Sequence, residues 1–336
     1  MSLTRIHDQL ARHVADLQQK GVAKGKEKVI TDVLPAQQGF GERYLLDGFG
    51  ERAFLRMNSN SYLGLGLHQR VLEAETRTAE KFGAGPGAVR FISGTYAPHV
   101  ELERELAAFH DREAGMIMSA AYATVIGVLP QLISGDTLVV SDALNHNCII
   151  RAMRISNVPG SNRAIYDHND MDSLRKRLDD IPQDMERVVV IFDGVFSMRG
   201  DCAPIDRIVK TAEPYQDRFK DGVITVVDDS HGIGAFGKTG RGTAEFSGAQ
   251  PDVIIGTFGK AFGVNGGFVA ASAMVIEAIR QKADTYIYTN PLGVADCAAA
   301  VKAIDICDSP EGLKRLDNLQ QRILQFRAAS LSAATS

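Results

Sequence analysis

The sequence predicts an α/β fold with a mainly parallel central sheet and helices on both of its faces. The first observation is a set of continuously apolar, β-rich runs, which are typical of strands buried on both faces of a sheet. The second is that segments with helical periodicity occur among these runs. The predicted strands are 137–142, 187–194, 222–229, 251–258 and 266–272, and the predicted helices are 68–82, 99–112 and 171–181.

The chain divides into three predicted parts. Residues 1–55 form an N-terminal helical arm, because apolar residues from Leu3 to Leu17 recur at helical spacing within it. Residues 56–293 contain the alternating segments and form the large domain, where a ligand is expected. Residues 294–336 are predicted to begin a small C-terminal domain. Its last helix carries an apolar stripe formed by Leu313, Leu316, Leu319, Ile323 and Phe326.

The composition excludes several functional classes. The chain has 336 residues, of which 45% are hydrophobic and 23% are charged, as in ordinary soluble proteins. Its net charge of −4 gives no electrostatic basis for a nucleic-acid or membrane partner. Charges throughout the first twenty residues argue against a secretory signal, and no apolar run is long enough to span a bilayer, so we expect a cytoplasmic protein. The widely spaced Cys148, Cys202, Cys297 and Cys307 predict reduced thiols and no metal site.

Residues 232–239, GIGAFGKT, match the phosphate-loop pattern of nucleotide-binding proteins. Their context argues against that function. Asp228 and Asp229 would place two carboxylates beside a polyanion, and the GRG of 240–242 follows where a helix should begin. We interpret the match as a coincidence in a glycine-rich chain.

Ionisable residues follow three of the predicted strands: His146 after 137–142, Asp228 and His231 at the end of 222–229, and Lys260 after 251–258. Ligands of open α/β sheets bind beyond the carboxyl ends of the strands. A desolvated lysine has a lowered pKa and supplies the neutral amine that forms a Schiff base, and a buried aspartate keeps a pyridine nitrogen protonated. Each residue alone has an ordinary structural explanation, such as a helix cap or a hydrogen bond. The ordered set indicates a site for pyridoxal 5′-phosphate (PLP).

Motifs along the chain resemble those of the PLP-dependent α-oxoamine synthases, which are fold-type I transferases of the class-II aminotransferase kind. The match is nearly collinear from about residue 40 to 310. Within the family, SDALNH, DGVFSM and VDDSH are most similar to the glycine C-acetyltransferases. The motifs are NSYLGL (60–65), GPGAVRFISGT (85–95), SDALNHNCII (141–150), DGVFSMRGD (193–201), VVDDSHGIGAFGKTGRGT (226–243), DVIIGTFGKAFGVNGGF (252–268) and YIYTNPL (286–292).

The resemblance implies roles around the cofactor ring, and it makes residues 56–293 the PLP-binding domain. Lys260 would carry PLP as a Schiff base, and Asp228 would pair with the pyridinium nitrogen. His231, helped by Ser197, would hydrogen-bond the ring hydroxyl. His146 would stack on the face of the ring.

The resemblance also implies a homodimer with its active site at the subunit interface. Asn60 matches the family's substrate-binding asparagine. The implied phosphate ligands are Thr257, the backbone N–H groups around Ala121 and Tyr122, and Thr289 and Asn290 of the neighbouring subunit.

The implied reaction condenses glycine or another small amino acid with an acyl-CoA. Lys260 would take the α-proton, and the resulting carbanion would attack the thioester. Coenzyme A would be the leaving group, and the product would be an α-amino ketone or a 2-amino-3-oxo acid. Two alternatives stay open: an aminotransferase or lyase of the same fold, and an inactive dimerising remnant. The family's later C-terminal region, with the arginine that holds the substrate carboxylate, has no match here, so the small C-terminal domain is expected to be truncated.

Overall fold

A computed structural model describes residues 3–37, 39–182 and 184–334, with the side chains of 331–334 excepted. The chain forms two compact units, Met1–Ser59 and Asn60–Ser336. In the first unit, helix α1 (Thr4–Gln19) occupies the segment with helical periodicity. A hairpin of β1 (Ile30–Leu34) and β2 (Arg43–Leu46) follows it.

Seven strands form the sheet of the second unit within the described residues, and six of them run in one direction. The order is β3-β9-β8-β7-β6-β4-β5, and β9 is antiparallel to both β3 and β8. This arrangement confirms the predicted, mainly parallel sheet. The strands are β3 (Ala114–Met118), β4 (Thr137–Asp142), β5 (Arg163–Tyr166), β6 (Arg187–Asp193), β7 (Val223–Asp228), β8 (Val253–Thr257) and β9 (Gly267–Ala271).

The valine-rich strands are apolar along their whole length because both faces of the sheet are covered. In β6, Val188 and Val190 join one buried apolar cluster, whereas Val189 and Ile191 join the other. Successive side chains of a strand point to opposite faces, so this continuous run supplies both cores. The helices of this unit are α2 (Gln69–Phe82), α3 (Ala97–Phe109), α4 (Ala121–Leu132), α5 (Asn147–Ile155), α6 (Met171–Asp179), α7 (Ile205–Ala212), α8 (Thr243–Ser247), α9 (Ala273–Lys282), α10 (Asp284–Ile287), α11 (Val294–Cys307) and α12 (Pro310–Ala334).

The C-terminal helices belong to the same compact unit as the sheet. Helix α11 packs against α2 and α3. On α12, Leu316 is buried, whereas Ile323 and Phe326 are exposed. Of the apolar stripe predicted for this helix, only Leu316 is buried and Leu319 is partly buried, whereas Leu313 at its beginning is exposed. Within the described ranges, the structure has no helix with the length and apolarity that a bilayer crossing requires.

The topology brings the carboxyl ends of β4, β6, β7 and β8 to one edge of the sheet. Asp193 of β6 is paired in register with Asp228 of β7. Both side chains are buried, and so is that of Asp142 at the end of β4. Parallel pairing therefore gathers carboxylates that are far apart in the sequence.

Candidate active site

A cavity opens at this edge of the sheet. Seven of the residues that the sequence predicts for the cofactor site line it, so the structure brings them together around one space. The lining residues are Ala121, Tyr122, His146, Cys148, Asp193, Val195, Ser197, Asp228, Ser230, His231 and Lys260.

The carboxylate of Asp228 lies buried at the end of β7 and is held from both sides. Its Oδ1 accepts hydrogen bonds from the backbone N–H of Ser230 at 3.1 Å and from the Ser230 hydroxyl at 2.6 Å. Its Oδ2 accepts from the thiol of Cys148 at 3.6 Å. These contacts fix the orientation of a carboxylate that faces the cavity.

The turn that carries His146 is fastened to β6. Asn145 is buried; its side-chain amide donates to the carbonyl of Ile191 at 2.9 Å and its oxygen accepts from the backbone N–H of Asp193 at 2.9 Å. The Asp193 carboxylate in turn accepts from the backbone N–H of His146 at 2.9 Å. Burial, together with the charge of Asp228, raises the pKa of Asp193 to about 8. The protonated form of Asp193 is therefore favoured at neutral pH.

Lys260 extends from the loop after β8 into the same cavity. Burial lowers the pKa of its amine, while the carboxylates of Asp228 and Asp193 act in the opposite direction. A larger fraction of neutral amine is therefore present than in a solvated lysine, as nucleophilic or basic chemistry requires.

His231 is half-buried in the cavity wall and is neutral at physiological pH. Burial and the nearby charge of Lys260 lower its pKa to about 4. Its Nδ1 lies 2.7 Å from the hydroxyl oxygen of Tyr62. The ring therefore reaches the cavity as an uncharged imidazole with one nitrogen already engaged.

The N-terminus of α4 also lines the cavity, at Ala121 and Tyr122. The residue before them, Ala120, makes no side-chain cap to the helix. The neighbouring strand β9 approaches closely, since a Cβ built on Gly267 would lie 2.4 Å from the Cα of Ala121. The positive end of a helix whose first N–H groups face a cavity is a suitable site for a phosphate.

Thr257 lies outside the set of lining residues. Its hydroxyl donates to the carbonyl of Gly266 at 3.1 Å and accepts from the backbone N–H of Gly259 at 3.1 Å. These bonds close the loop that carries Lys260. The predicted contact between Thr257 and phosphate stays a prediction.

Asn60, Thr289 and Asn290 are exposed and also lie outside the lining of this cavity. Asn60 is connected to it through Tyr62, whose hydroxyl oxygen lies 3.4 Å from the Asn60 Oδ1. Thr289 and Asn290 follow α10, beside the exposed Tyr288. The substrate role of Asn60 and the contribution of the other two to a neighbouring subunit stay predictions.

In the segment that matches the phosphate-loop pattern, a carboxylate of the protein itself accepts the hydrogen bonds. Glu245 of α8 accepts hydrogen bonds from the backbone N–H and the hydroxyl of Thr239 at 3.0 and 2.9 Å. It also accepts from the backbone N–H of Arg241 at 3.0 Å. These donors at the end of the matching segment are thus occupied, and Lys238 is exposed.

Four lining residues have no role in the sequence prediction: Cys148, Asp193, Val195 and Ser230. Tyr62, the partner of His231, is also new, although it lies within the NSYLGL motif. Asp193 has a signal in the sequence, because it is an acid at the end of a buried strand. The sequence gives no such signal for Tyr62, since its contact with His231 joins residues 169 positions apart.

The cavity has the donor set that PLP requires. A lysine of lowered pKa and a buried carboxylate lie together, a neutral imidazole lies beside them, and an uncapped helix N-terminus completes the wall. These groups match an aldehyde, a pyridine nitrogen, a ring hydroxyl and a phosphate, in that order. The fold and the cavity together define a fold-type I PLP-dependent protein.

Comparison with known proteins agrees with this class. Residues 52–333 match the model of the aminotransferase class I and II family. The putative 8-amino-7-oxononanoate synthase of Bacillus licheniformis is 40% identical over 258 residues, covering 77% of this chain and 65% of that protein. The 8-amino-7-oxononanoate synthase of Thermosipho melanesiensis is 38% identical over 279 residues, covering 82% of this chain and 68% of that protein. The chain thus spans about two thirds of the length of these curated relatives.

Solved structures show the same relationship. A serine palmitoyltransferase variant from S. paucimobilis with bound PLP and myriocin superposes with a TM-score of 0.78 at 28% identity, covering 92% of this chain and 74% of that one. The serine palmitoyltransferase of Sphingomonas wittichii gives a TM-score of 0.77 at 27% identity, covering 91% and 73%. The chain belongs to the aminotransferase class I and II family and, within it, to the PLP-dependent α-oxoamine synthases.

Proposed function

We propose that the protein is an acyltransferase that condenses an amino acid with an acyl-CoA thioester and releases coenzyme A. The observation that carries the proposal is that Lys260, Asp228, His231 and His146 line one cavity. When bound there, PLP accepts the electron pair that remains when the amino acid loses its α-proton, so that this carbon can form a bond to the acyl carbon as the thioester bond breaks.

The side chains supply the remaining steps. Lys260 would hold the cofactor covalently and would then, as a neutral amine, move the α-proton of the bound amino acid. Asp228, held by Ser230 and Cys148, would keep the pyridine nitrogen protonated. His231 would donate to the ring oxygen, and Ala121 and Tyr122 would direct backbone N–H groups at the phosphate.

The choice of substrates is the finer part of the proposal. Motif similarity favours glycine and acetyl-CoA, whereas the curated relatives are named for 8-amino-7-oxononanoate. That nine-carbon product corresponds to alanine, less carbon dioxide, joined to a seven-carbon dicarboxylic acyl group. The test should therefore include both pairs, and serine with palmitoyl-CoA for the solved neighbours.

The experiment measures thiol release by the PLP-loaded protein with each amino acid and acyl-CoA. We expect thiol release that requires both substrates, together with a product whose mass is that of the condensed skeleton. If the protein shows no visible absorption of bound PLP after incubation with PLP and removal of the free cofactor, this result would contradict the cofactor site. Bound PLP with amino-group transfer to a 2-oxo acid and no thiol release would instead identify an aminotransferase.

We further propose that the active protein is a homodimer in which Thr289 and Asn290 serve the neighbouring subunit. Their exposure, beside a Tyr288 that is 78% exposed, supports this part of the proposal. Light scattering should give twice the chain mass. Mixed dimers of Lys260→Ala and Asn290→Ala chains should recover activity that neither variant has alone, because one of the two sites would then be intact.

A further inference from the structure

Tyr62 and His231 form a short contact that joins the NSYLGL segment to the cavity wall. The hydroxyl oxygen of Tyr62 lies 2.7 Å from Nδ1 of His231, and the two ring centroids are 6.3 Å apart. A distance of this length is that of a well-formed hydrogen bond. The question is which of the two groups donates.

The state of each group limits the answer. Burial, with the nearby charge of Lys260, keeps the pKa of His231 low, so its ring is neutral and carries one N–H. Burial raises the pKa of Tyr62, so its hydroxyl keeps its proton. The charged or titratable groups that act on His231 are Lys260, Asp228 and His146.

Two arrangements of the protons satisfy this chemistry. In one, Tyr62 donates to Nδ1, and the ring proton is on Nε2. In the other, Nδ1 donates to Tyr62, and the hydroxyl must donate to another acceptor. The available acceptor is the Asn60 Oδ1 at 3.4 Å, longer than an ordinary O–H···O bond. The short contact to Nδ1 and the long one to Asn60 together favour the first arrangement, in which Tyr62 donates to Nδ1.

We infer that Tyr62 is a positioning residue that fixes the tautomer of His231 with its proton on Nε2. That nitrogen is then the donor available to the ring oxygen of the cofactor, so this inference rests on the proposed function. Without Tyr62 the ring would exchange between tautomers, and only one of them donates from Nε2.

The tautomer has a spectroscopic consequence. A hydrogen bond donated to the ring oxygen of PLP stabilises its charged form, so losing that bond makes the oxygen more basic. The pH at which the visible spectrum of the bound cofactor changes should therefore rise. For Tyr62→Phe we expect a rise of about 0.5–1 pH unit, less than the loss of a whole hydrogen bond to a charged oxygen because the exchanging ring still donates from Nε2 part of the time, and a several-fold weaker apparent affinity for PLP.

A double-mutant cycle separates this role from a purely structural one. Glutamine at position 231 places an amide N–H near the position of Nε2, and that N–H is present whatever Tyr62 does. Tyr62→Phe should therefore shift the midpoint pH of the change in the PLP spectrum in the wild-type background and leave it unchanged in the His231→Gln background. Tyr215→Phe is a matched control, because that hydroxyl bonds Asp179, away from the cavity.

The outcomes distinguish this inference from the proposed function. If the wild type binds no PLP, the proposed function fails. If the wild type binds PLP but Tyr62→Phe leaves the midpoint pH of the PLP spectrum unchanged, or shifts it equally in both backgrounds, the inference fails. Should Tyr62→Phe not fold, ¹⁵N shifts of the His231 ring in the PLP-loaded wild type give the answer directly: a protonated Nδ1 would overturn the inference, and a protonated Nε2 is the expected result.

Discussion

Two glycine-rich loops leave neighbouring parallel strands, and each carries a lysine. Residues 229–242 follow β7 and contain Lys238, whereas residues 258–266 follow β8 and contain Lys260. Lys238 is exposed. Lys260 extends into the cavity beside Asp228. The loops begin at the same edge of the sheet, so their different paths decide which lysine meets the carboxylates.

The first loop is closed by two carboxylates, one within it and one in α8. Glu245 binds the backbone of Thr239 and Arg241, and the buried Asp229 accepts from the backbone N–H of Thr243 at 2.7 Å. The second loop is closed by the hydroxyl of Thr257, which leaves the Lys260 side chain directed at the cavity. Burial and neighbouring charge, and not the sequence pattern around a lysine, therefore distinguish the two.

The largest expected effect separates the two lysines. Under the proposed function, Lys260→Ala should abolish the visible absorption of covalently held PLP and reduce the rate of thiol release by about a thousandfold or more, because both the proposed anchor and the proposed base would be lost. Lys238→Ala is the matched control and should stay within about twofold of the wild type. Equal losses in both variants would contradict the distinction between the loops.

The next effect tests the carboxylate that lies beside Lys260. Asp228→Asn keeps the size of the side chain and its contact with Ser230, but it removes the carboxylate that, under the proposed function, would stabilise a protonated pyridine nitrogen. We expect retained PLP absorption and a loss of roughly a hundredfold in turnover. The measurement is the rate of α-proton exchange in deuterium oxide, and an unchanged exchange rate would show that Asp228 has no such role.

The sequence predicts the fold and the centre of the site, but not the contacts that orient it. Strands β6, β7 and β8 can be predicted from the sequence because they are apolar on both faces. The strands β3 and β5 are absent from the prediction, since AGMIM and RAIY are short and give no clear periodicity. The contacts of His231 with Tyr62 and of Asp228 with Cys148 join residues from distant motifs, so only the folded chain reveals them.

A smaller effect concerns the buried acid of the first loop. Burial raises the pKa of Asp229 from 3.8 to about 7, although its bonds to Thr243 act in the opposite direction. Between about pH 4 and 7 the folded chain thus keeps a proton that the unfolded chain has lost. The contribution of Asp229 to the free energy of unfolding is therefore fully present below pH 4. It declines as pH rises from 4 to 7 and does not change further at higher pH.

Asp229→Asn removes this titration while retaining an oxygen for the Thr243 N–H. From pH 5 to 7, the wild type should lose about 2 kcal/mol of unfolding free energy relative to the variant. Urea unfolding at several pH values measures the difference. Parallel curves for the two proteins would show that Asp229 is charged in the folded state throughout.

The smallest effect tests why the phosphate-loop match has no function. Glu245 accepts charge-assisted hydrogen bonds from Thr239 and Arg241, so its carboxylate occupies the position of an anion in that turn. Glu245→Gln keeps one acceptor oxygen and removes the charge, and should cost about 1 kcal/mol of unfolding free energy without changing PLP absorption. The exposed Glu213→Gln is the matched control and should leave stability unchanged within error.

The same loop can be tested for nucleotide binding. Calorimetry should detect no ATP binding by the wild type, because the donors around Thr239 already have a partner. Saturable ATP binding that Glu245→Gln alters would restore the nucleotide interpretation of this loop.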